Sequence, residues 1–558
     1  MRSNSFHMPY TISAELKKEP ALQFKKSPQK RQFFLYTILT FGILFRLFHF
    51  VHNRSLWLDE IYLSLSLISA DFQQLTAPLL EYQQKAPIGF LWMVKCSVLI
   101  FGDGEKALRL IPLLCGIAAL ICLIPIARYW LKPAGQLAAI SMMAFAPPLI
   151  YHSVEVKQYS MELLVTVLCL WLYIRFYKDR KLKSRLLWGA AGALILWFSY
   201  SSVFILTGIG MAVCLSLIMK NDWKSFLQLC VPFSMWFTSF AIHYILITSN
   251  QVDQQWLLYW FRHYQSFMPL PLWSPDTITW LIRHLYTMLD YPLGLLWNFN
   301  TADSAPLRVI MKMSILPIAL SLIGIYAFFK TDKRALALLT LPLILTLAAS
   351  ALERYPFFER LLVFLAPLII LLIAKGCDQT IKALPALRRR QLIIPALLMT
   401  GGFAASAAQV ISPDTFGRYK KSYKKEALLH IDKNYQEGDL VYVYWNMNYG
   451  YRYYKRAYNI QYNAIEGSDK KFASVSPSDY IKQLRPELHQ LEGKKRVWVV
   501  YNRKIWNDIG EIENRPDWYN KSHPGEFLYR ELSHRAHEIE SLKLDEVNVH
   551  LFDFSSAP

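Results

Sequence analysis

The sequence predicts a mainly α-helical, polytopic membrane protein that carries a small α/β domain at its C-terminal end. Three observations lead there. Hydrophobic residues make up 54% of the chain and charged ones only 18%, where a soluble chain carries about a quarter charged. Apolar runs recur that reach or approach the roughly 20 residues a helix needs to cross a bilayer. After about residue 411 the composition changes: 412–558 is charged and has no run long enough to span.

Residues 1–32 are polar and basic and form a cytoplasmic N-terminal segment. The run Phe33–Val51 is too long for a signal-peptide core and lacks a small-residue cleavage site after it, so it reads as a first, uncleaved span. Arg46 sits inside it. It either snorkels to the outer interface or turns inward toward an anion. Basic clusters at Arg128–Lys132, Lys178–Arg185, Lys220–Lys224, Lys330–Arg334 and Lys382–Arg390 are assigned to the cytoplasm by the positive-inside rule. Spans then fall near 108–128, 134–150, 160–177, 187–200, 204–219, 228–248, 306–329, 335–352, 361–376 and 391–411. With the first span that makes about eleven. Residues 86–101 are apolar but short and contain Lys95; counting them as a span breaks the parity, so they are expected to lie at the outer interface. The membrane domain is thus 33–411, with an external loop over 52–108. The stretch 277–297, with Arg283, His284 and Asp290, is another short apolar segment whose crossing is left open.

In the tail, DLVYVYW (439–445), RVWVVY (496–501) and VNVHLFDF (547–554) alternate as strands do, and helical patterns cover 425–434 and 478–493. Strands alternating with helices give an α/β domain, extracytoplasmic by the odd number of spans. The net charge of +20 is accounted for by basic cytoplasmic loops; no basic soluble module suggests nucleic acid as a partner. All seven cysteines lie in or beside apolar stretches without a CxxC pair or metal spacing, and are read as small core residues. Gly189-Ala-Ala-Gly192 reads as close helix packing. Walker A, GxGxxG, HExxH and GxSxG motifs are missing from the sequence.

Chemistry concentrates on the external side. Leu56-Trp57-Leu58-Asp59-Glu60 places two carboxylates just beyond the first span, where a charge is costly unless wet or paired. The same loop supplies Glu81, Lys85, Glu105 and Arg109; the loop after 134–150 supplies His152, Glu155, Lys157, Gln158 and Tyr159; the loop at 353–360 supplies Glu353, Arg354, Tyr355, Glu359 and Arg360. A carboxylate facing several cations suits a sugar attached to a phosphate: the cations hold the leaving group, and the carboxylate takes the acceptor's proton. Each feature alone has a plainer use, as a helix cap, a headgroup anchor or a solvated charge. Their gathering on one side favours a site.

The run Arg46, Leu56–Glu60, Lys85-Ala86-Pro87-Ile88-Gly89-Phe90-Leu91-Trp92 and Phe101–Pro112 resembles the opening of GT-C glycosyltransferases of family 39, the protein mannosyltransferase and aminoarabinose transferase type. Glu155-Val-Lys-Gln-Tyr159, the segment from Tyr355 to Leu365 and Gly438–Tyr444 resemble later parts of its bacterial members. The resemblance implies a polytopic GT-C fold in a bacterial inner membrane and an inverting transfer, on the external face, from a polyprenyl-phosphate sugar donor to a lipid, protein or glycan acceptor. It implies Asp59 as base or acceptor-positioning carboxylate, with Glu60 and Glu155 as further catalytic carboxylates. Lys85, Arg109, Arg360 and Arg46 are implied as donor-phosphate partners, and Tyr159, Lys157, Tyr355 and Glu81 as substrate contacts. No cofactor is required; a divalent cation is compatible, and its ligands stay undefined because Gln84 and Ala86-Pro87-Ile88 depart from the family's pattern. Three rivals remain: a polymerase or ligase with its charged site in 249–305, a transporter or flippase, which would show inverted repeats, and a catalytically inert scaffold.

Overall fold

The protein is described from a computed structural model over residues 28–77, 80, 84–249, 255–297, 312–504, 516–520 and 524–555. Among the described residues, seven helices are long and apolar enough to cross a membrane: Gln32–His52, Glu105–Trp130, Tyr159–Phe176, Trp223–Ile247, Lys333–Ala351, Glu359–Ala383 and Ile393–Ile411. Ile88–Phe101, Pro133–Phe145, Ser202–Ile218 and Ile315–Thr331 are shorter apolar helices. With Leu182–Ile195, each of the expected spans contains a helix.

The helices that build the site are α1 (Pro28–His52), α2 (Leu58–Ser69), α3 (Ile88–Phe101), α4 (Glu105–Trp130), α5 (Pro133–Phe145), α6 (Pro147–His152) and α7 (Tyr159–Phe176). Prolines occupy the first positions of α5 and α6, where the missing N–H costs nothing. The N-terminus of α5 is capped from another helix: Asp378 accepts the Lys132 N–H at 2.6 Å and the Gly135 N–H at 2.7 Å. Helix α3 lies against α2, and buried Lys95 donates to the Leu67 carbonyl at 3.1 Å, holding the last turn of α2. Its opposite face exposes Met93, Leu99 and Ile100.

Apolar helices with little amphipathic contrast must still meet each other closely, and small residues let them. Ile315–Thr331 crosses Ala366–Ala383 at Gly324 and Gly376, each positioned where a Cβ would come within 1.9 Å of the other helix's carbonyl oxygen. Gly189 and Gly192 press on Met235 and Trp236 in the same way, as the sequence suggested. The cysteine expectation needs correcting: Cys115, Cys169 and Cys377 are buried, but Cys96 and Cys230 are exposed. A helix in lipid is apolar on its outer face too, so composition does not separate core from bilayer surface.

Among the described residues, the C-terminal domain has a five-stranded mixed sheet in the order β2-β1-β3-β5-β4. Strands β1 (Leu440–Val443), β3 (Val497–Asn502) and β5 (Val547–Asp553) are those read from alternation. Strands β2 (Ala464–Glu466) and β4 (His537–Lys543) were not anticipated. They are the two edges: β2 has three residues, and β4 is mostly polar, so neither shows an apolar period. β1 runs parallel to β2 and β3; β5 is antiparallel to β3 and β4. The helix Asn448–Tyr458 packs this domain onto α2.

Replacing Gly376 with valine is expected to lower stability by about 2 kcal/mol or more, since backbone rather than a flexible side chain blocks the new group; thermal unfolding in detergent measures it.

Candidate active site

Helix α2 begins with Trp57 as its N-cap. Glu60, in the first turn, accepts the Trp57 N–H at 3.2 Å, an acid where the helix end favours one. Glu60 is fully buried and surrounded: Arg54 Nη1 lies 2.7 Å from its Oε2, Arg109 bonds both oxygens at 3.1 Å, and the Val156 N–H reaches Oε1 at 2.9 Å. Arg109 also donates to the Arg54 carbonyl at 2.7 Å. One carboxylate therefore joins α2, α4, the α1–α2 connection and the α6–α7 loop.

Asp59, one residue earlier, faces elsewhere. Its Oδ2 pairs with Arg360 Nη1 at 2.6 Å, and this pair keeps some exposure, 10% for the acid side chain and 19% for the base. Burial alone would raise the Asp59 carboxyl; Arg360, Lys157 and Lys420 outweigh it and hold the group below its ordinary range. Arg360 comes from the 3-10 segment Glu359–Leu365 that leads into Ala366–Ala383.

Glu155 is fully buried beside Trp57. Its Oε1 accepts from Trp57 Nε1 at 3.2 Å and pairs with Lys420 at 3.4 Å; its Oε2 lies 2.6 Å from His152 Nδ1. Burial opposes its ionisation, but Lys420 and His152 hold it well below the usual carboxylate range. Burial also keeps His152 below its ordinary value, so the imidazole is neutral near pH 7. Lys157 is buried and donates to Gln84 Oε1 at 2.5 Å, beside half-buried Lys85. Burial pushes the Lys157 ammonium down to about 8.

The structure thus brings Asp59, Glu60, Glu155, Arg109, Lys157 and Arg360 together. Buried Tyr159 stands with its ring 4.9 Å from that of His152 and within electrostatic reach of Asp59, Arg360 and Glu155. Tyr355 donates to the Leu361 carbonyl at 2.8 Å and packs on Phe204, in the turn that presents Arg360. Arg46 does not join the cluster. It turns inward, but its donors go to the carbonyls of Gly42, Ala144 and Met143 at 2.8, 3.0 and 3.1 Å and to the Ser153 hydroxyl at 3.2 Å, tying α1 to α5. Glu81 lies outside the described residues. Among the described residues, no three His, Cys, Asp or Glu side chains gather as metal ligands.

Residues 85–247 match the family described as dolichyl-phosphate-mannose-protein mannosyltransferase. Among solved structures, the fold is similar to the crystal structure of ArnT from Cupriavidus metallidurans bound to undecaprenyl phosphate. The TM-score is 0.53 at 12% identity, over 93% of this chain and 97% of that one. The chain shares this GT-C fold, and its residues 85–247 are similar to that family. The apo form of the same Cupriavidus protein gives 0.51 at 11% identity, over 93% and 98%. An Archaeoglobus fulgidus oligosaccharyltransferase tethered to an acceptor peptide gives 0.45 at 11%, over 84% and 69%. A comparison with curated sequences finds no match.

Two members of this cluster were missed in the sequence. Arg54 looked like one charge among several after the first span, and Lys420 stands among many tail lysines. Lys420 is recognisable only through Glu155, 265 positions away, and Arg54 only through the fold of the short connection that returns it to Glu60 six residues later. Lys420 also lies over the rings of Trp57 and Tyr151, at 5.2 and 4.8 Å.

Substituting Glu60 with alanine is expected to destabilise the protein by about 3–5 kcal/mol, because Arg54 and Arg109 are left buried and unpaired; detergent unfolding measured beside Asp59→Ala, which exposes a less buried cation, checks the contrast.

Proposed function

We infer that this multi-pass membrane protein is a glycosyltransferase that moves a sugar from a polyprenyl-phosphate donor to an acceptor on the external face of a bacterial inner membrane. The observation that carries the reading is the cluster of Asp59 with Arg360, Lys157 and Lys420 at the foot of the C-terminal domain. Counted with Arg54 and Arg109 on Glu60, five cations stand against the four carboxylates Asp59, Glu60, Glu155 and Glu359. Such an excess suits an anionic headgroup. A leaving phosphate gains negative charge as its bond to the anomeric carbon breaks, and Arg360, Lys157 and neighbouring Lys85 would stabilise it. Asp59, held ionised by these cations, is better suited to accepting and orienting an acceptor hydroxyl than to strong proton abstraction. The family match over 85–247 covers Lys85, Arg109, Glu155 and Lys157, and the Cupriavidus protein of the same fold binds undecaprenyl phosphate. A polymerase or ligase would place its charges in 249–305; here they come from α2, the α6–α7 loop, the segment at 359–360 and residue 420.

Asp59→Asn is expected to leave expression and folding intact and to reduce sugar transfer by about 10²-fold or more. The assay is mass spectrometry of the envelope component that loses a sugar when the gene is deleted; activity close to wild type would remove Asp59 from the mechanism.

A pH dependence follows from Lys157. In the empty site it loses its proton as pH rises through about 8, whereas a bound phosphate favours the charged form. Affinity for undecaprenyl phosphate is therefore expected to be full below pH 8 and to weaken by about tenfold toward pH 9, with proton uptake on binding above pH 8. Titration of the purified protein in two buffers of different ionisation enthalpy reads both effects, and Lys157→Arg should flatten them.

A further inference from the structure

Beside the cluster lies a cavity of about 370 Å³, within the range of ordinary small-molecule sites (about 300–1,000 Å³). One wall is the amphipathic helix Pro275–Asp290, whose Ile278, Ile282 and Leu285 are exposed and do not line the cavity. The lining is rich in aromatic rings, among them Tyr151, Tyr286, Tyr291 and Phe358. The cavity ends at Lys420 and at Glu359, the residue before the Arg360 that holds Asp59.

Tyr291 links this space to the buried acids. Its hydroxyl is hydrogen-bonded to His152 Nε2, and His152 Nδ1 lies 2.6 Å from Glu155 Oε2. An ionised Glu155 can only accept, so the imidazole proton is on Nδ1 and Nε2 offers its lone pair to the tyrosine hydroxyl. A carboxylate thereby fixes the tautomer of a neutral histidine, which in turn orients a hydroxyl at the cavity wall. This is the logic by which acid–histidine pairs activate an oxygen nucleophile. Nothing in the Asp59 arrangement uses it.

The geometry points to the cavity as the acceptor's seat, with Tyr291, His152 and Glu155 as a relay that takes the proton from an acceptor hydroxyl. This rests on the glycosyltransferase reading above. The acceptor oxygen forms its bond to the anomeric carbon while the bond from that carbon to the phosphate oxygen breaks and its electron pair leaves with the phosphate. The acceptor proton passes to the Tyr291 oxygen as the proton of Tyr291 passes to His152 Nε2, and Glu155 stabilises the imidazolium. That proton afterwards leaves to water or to the departing phosphate. Such a base serves an alcohol. An acceptor phosphate monoester is already ionised near pH 7 (second pKa about 6) and needs none. The relay therefore assigns the acceptor as a hydroxyl compound, and the aromatic walls suit a sugar ring as its carrier.

The charged and titratable groups facing His152 are Glu155, Lys420, Arg360, Tyr291, Tyr159 and Tyr151. The lysine, the arginine and burial oppose protonation in the resting state; Glu155 supports it. Transfer should accordingly fall on the acid side as the imidazole takes a proton from solvent and its lone pair is lost.

The test uses full-length Tyr291→Phe and His152→Gln in isolated membranes of the deletion strain, with sugar incorporation followed by mass spectrometry. Both should lose about 10²-fold in transfer, bind undecaprenyl phosphate as the wild type does and keep its unfolding temperature. The acid limb of the wild-type rate profile should be missing in His152→Gln. The new linkage should survive mild acid as an O-glycoside. Tyr291→Phe turning over within about twofold of wild type with the same acid limb, or a product linkage labile as a glycosyl phosphate, would overturn the relay. Failure of the underlying reading looks different: no envelope sugar is lost on deletion, and undecaprenyl phosphate does not bind.

Discussion

The structure around the site depends on burying one carboxylate, that of Glu60. Taking an ion out of water costs several kcal/mol, and the cost is offset only when partners surround it with good geometry. Glu60 meets that condition with two arginines and two backbone N–H groups. Because those partners come from three separate parts of the chain, at 54–57, 109 and 156, satisfying the charge also fixes their relative positions. Asp59 inherits this precision. Adjacent residues on a helix point about 100° apart, so with Glu60 locked inward, Asp59 must face the opening where Arg360 waits. The pair that looks alike in sequence is divided into a fully buried acid and one that keeps some exposure.

The C-terminal domain belongs to the same construction. Tyr454 accepts the Leu56 N–H at 2.8 Å and bonds Ser55 at 3.1 Å, directly before Trp57. Tyr453 donates to the Asp103 carbonyl at 3.0 Å and Tyr458 to Glu105 at 2.6 Å. Lys425 pairs with Glu105 at 3.2 Å, and Lys420, from the strap leading into the domain, completes the shell of Glu155. Tyrosine suits this work: a rigid ring fills space while its hydroxyl satisfies a loop carbonyl or N–H that would otherwise be buried without a partner. The domain thus acts as the lid that makes the loop at 53–60 rigid.

Much of this was legible in the sequence, for definite physical reasons. Long apolar runs locate helices because lipid demands them, and the alternation in 439–445, 496–501 and 547–554 marks strands because their faces are buried. Asp59 and Glu60 stood out because charge next to hydrocarbon needs a reason. What stayed hidden is pairwise. Nothing local tells that Arg109 belongs to Glu60, that Arg360 belongs to Asp59 across 301 positions, or that Lys420 reaches Glu155. Arg46 shows the same gap from the other direction: an arginine within a span announces a partner, but not that one carbonyl of its own helix, two of α5 and the Ser153 hydroxyl are that partner. Edge strands β2 and β4 escaped because edges are built to lack an apolar signal.

The two halves of the proposed reaction make opposite electrostatic demands, and the site separates them. A leaving phosphate wants cations, and cations close to a carboxylate make it a poorer base. Asp59 lies among such cations and is held ionised by them. A proton acceptor has to be shielded from that field while staying near enough to the reacting carbon. Lys420 and Arg360 still oppose a proton on His152, but Glu155, bonded to His152 through one oxygen and to Lys420 through the other, supports it. Trp57 reinforces the arrangement, since its indole N–H holds Glu155 while its ring sits under both Arg360 and Lys420. One aromatic side chain at the head of α2 thereby touches the carboxylate and both cations.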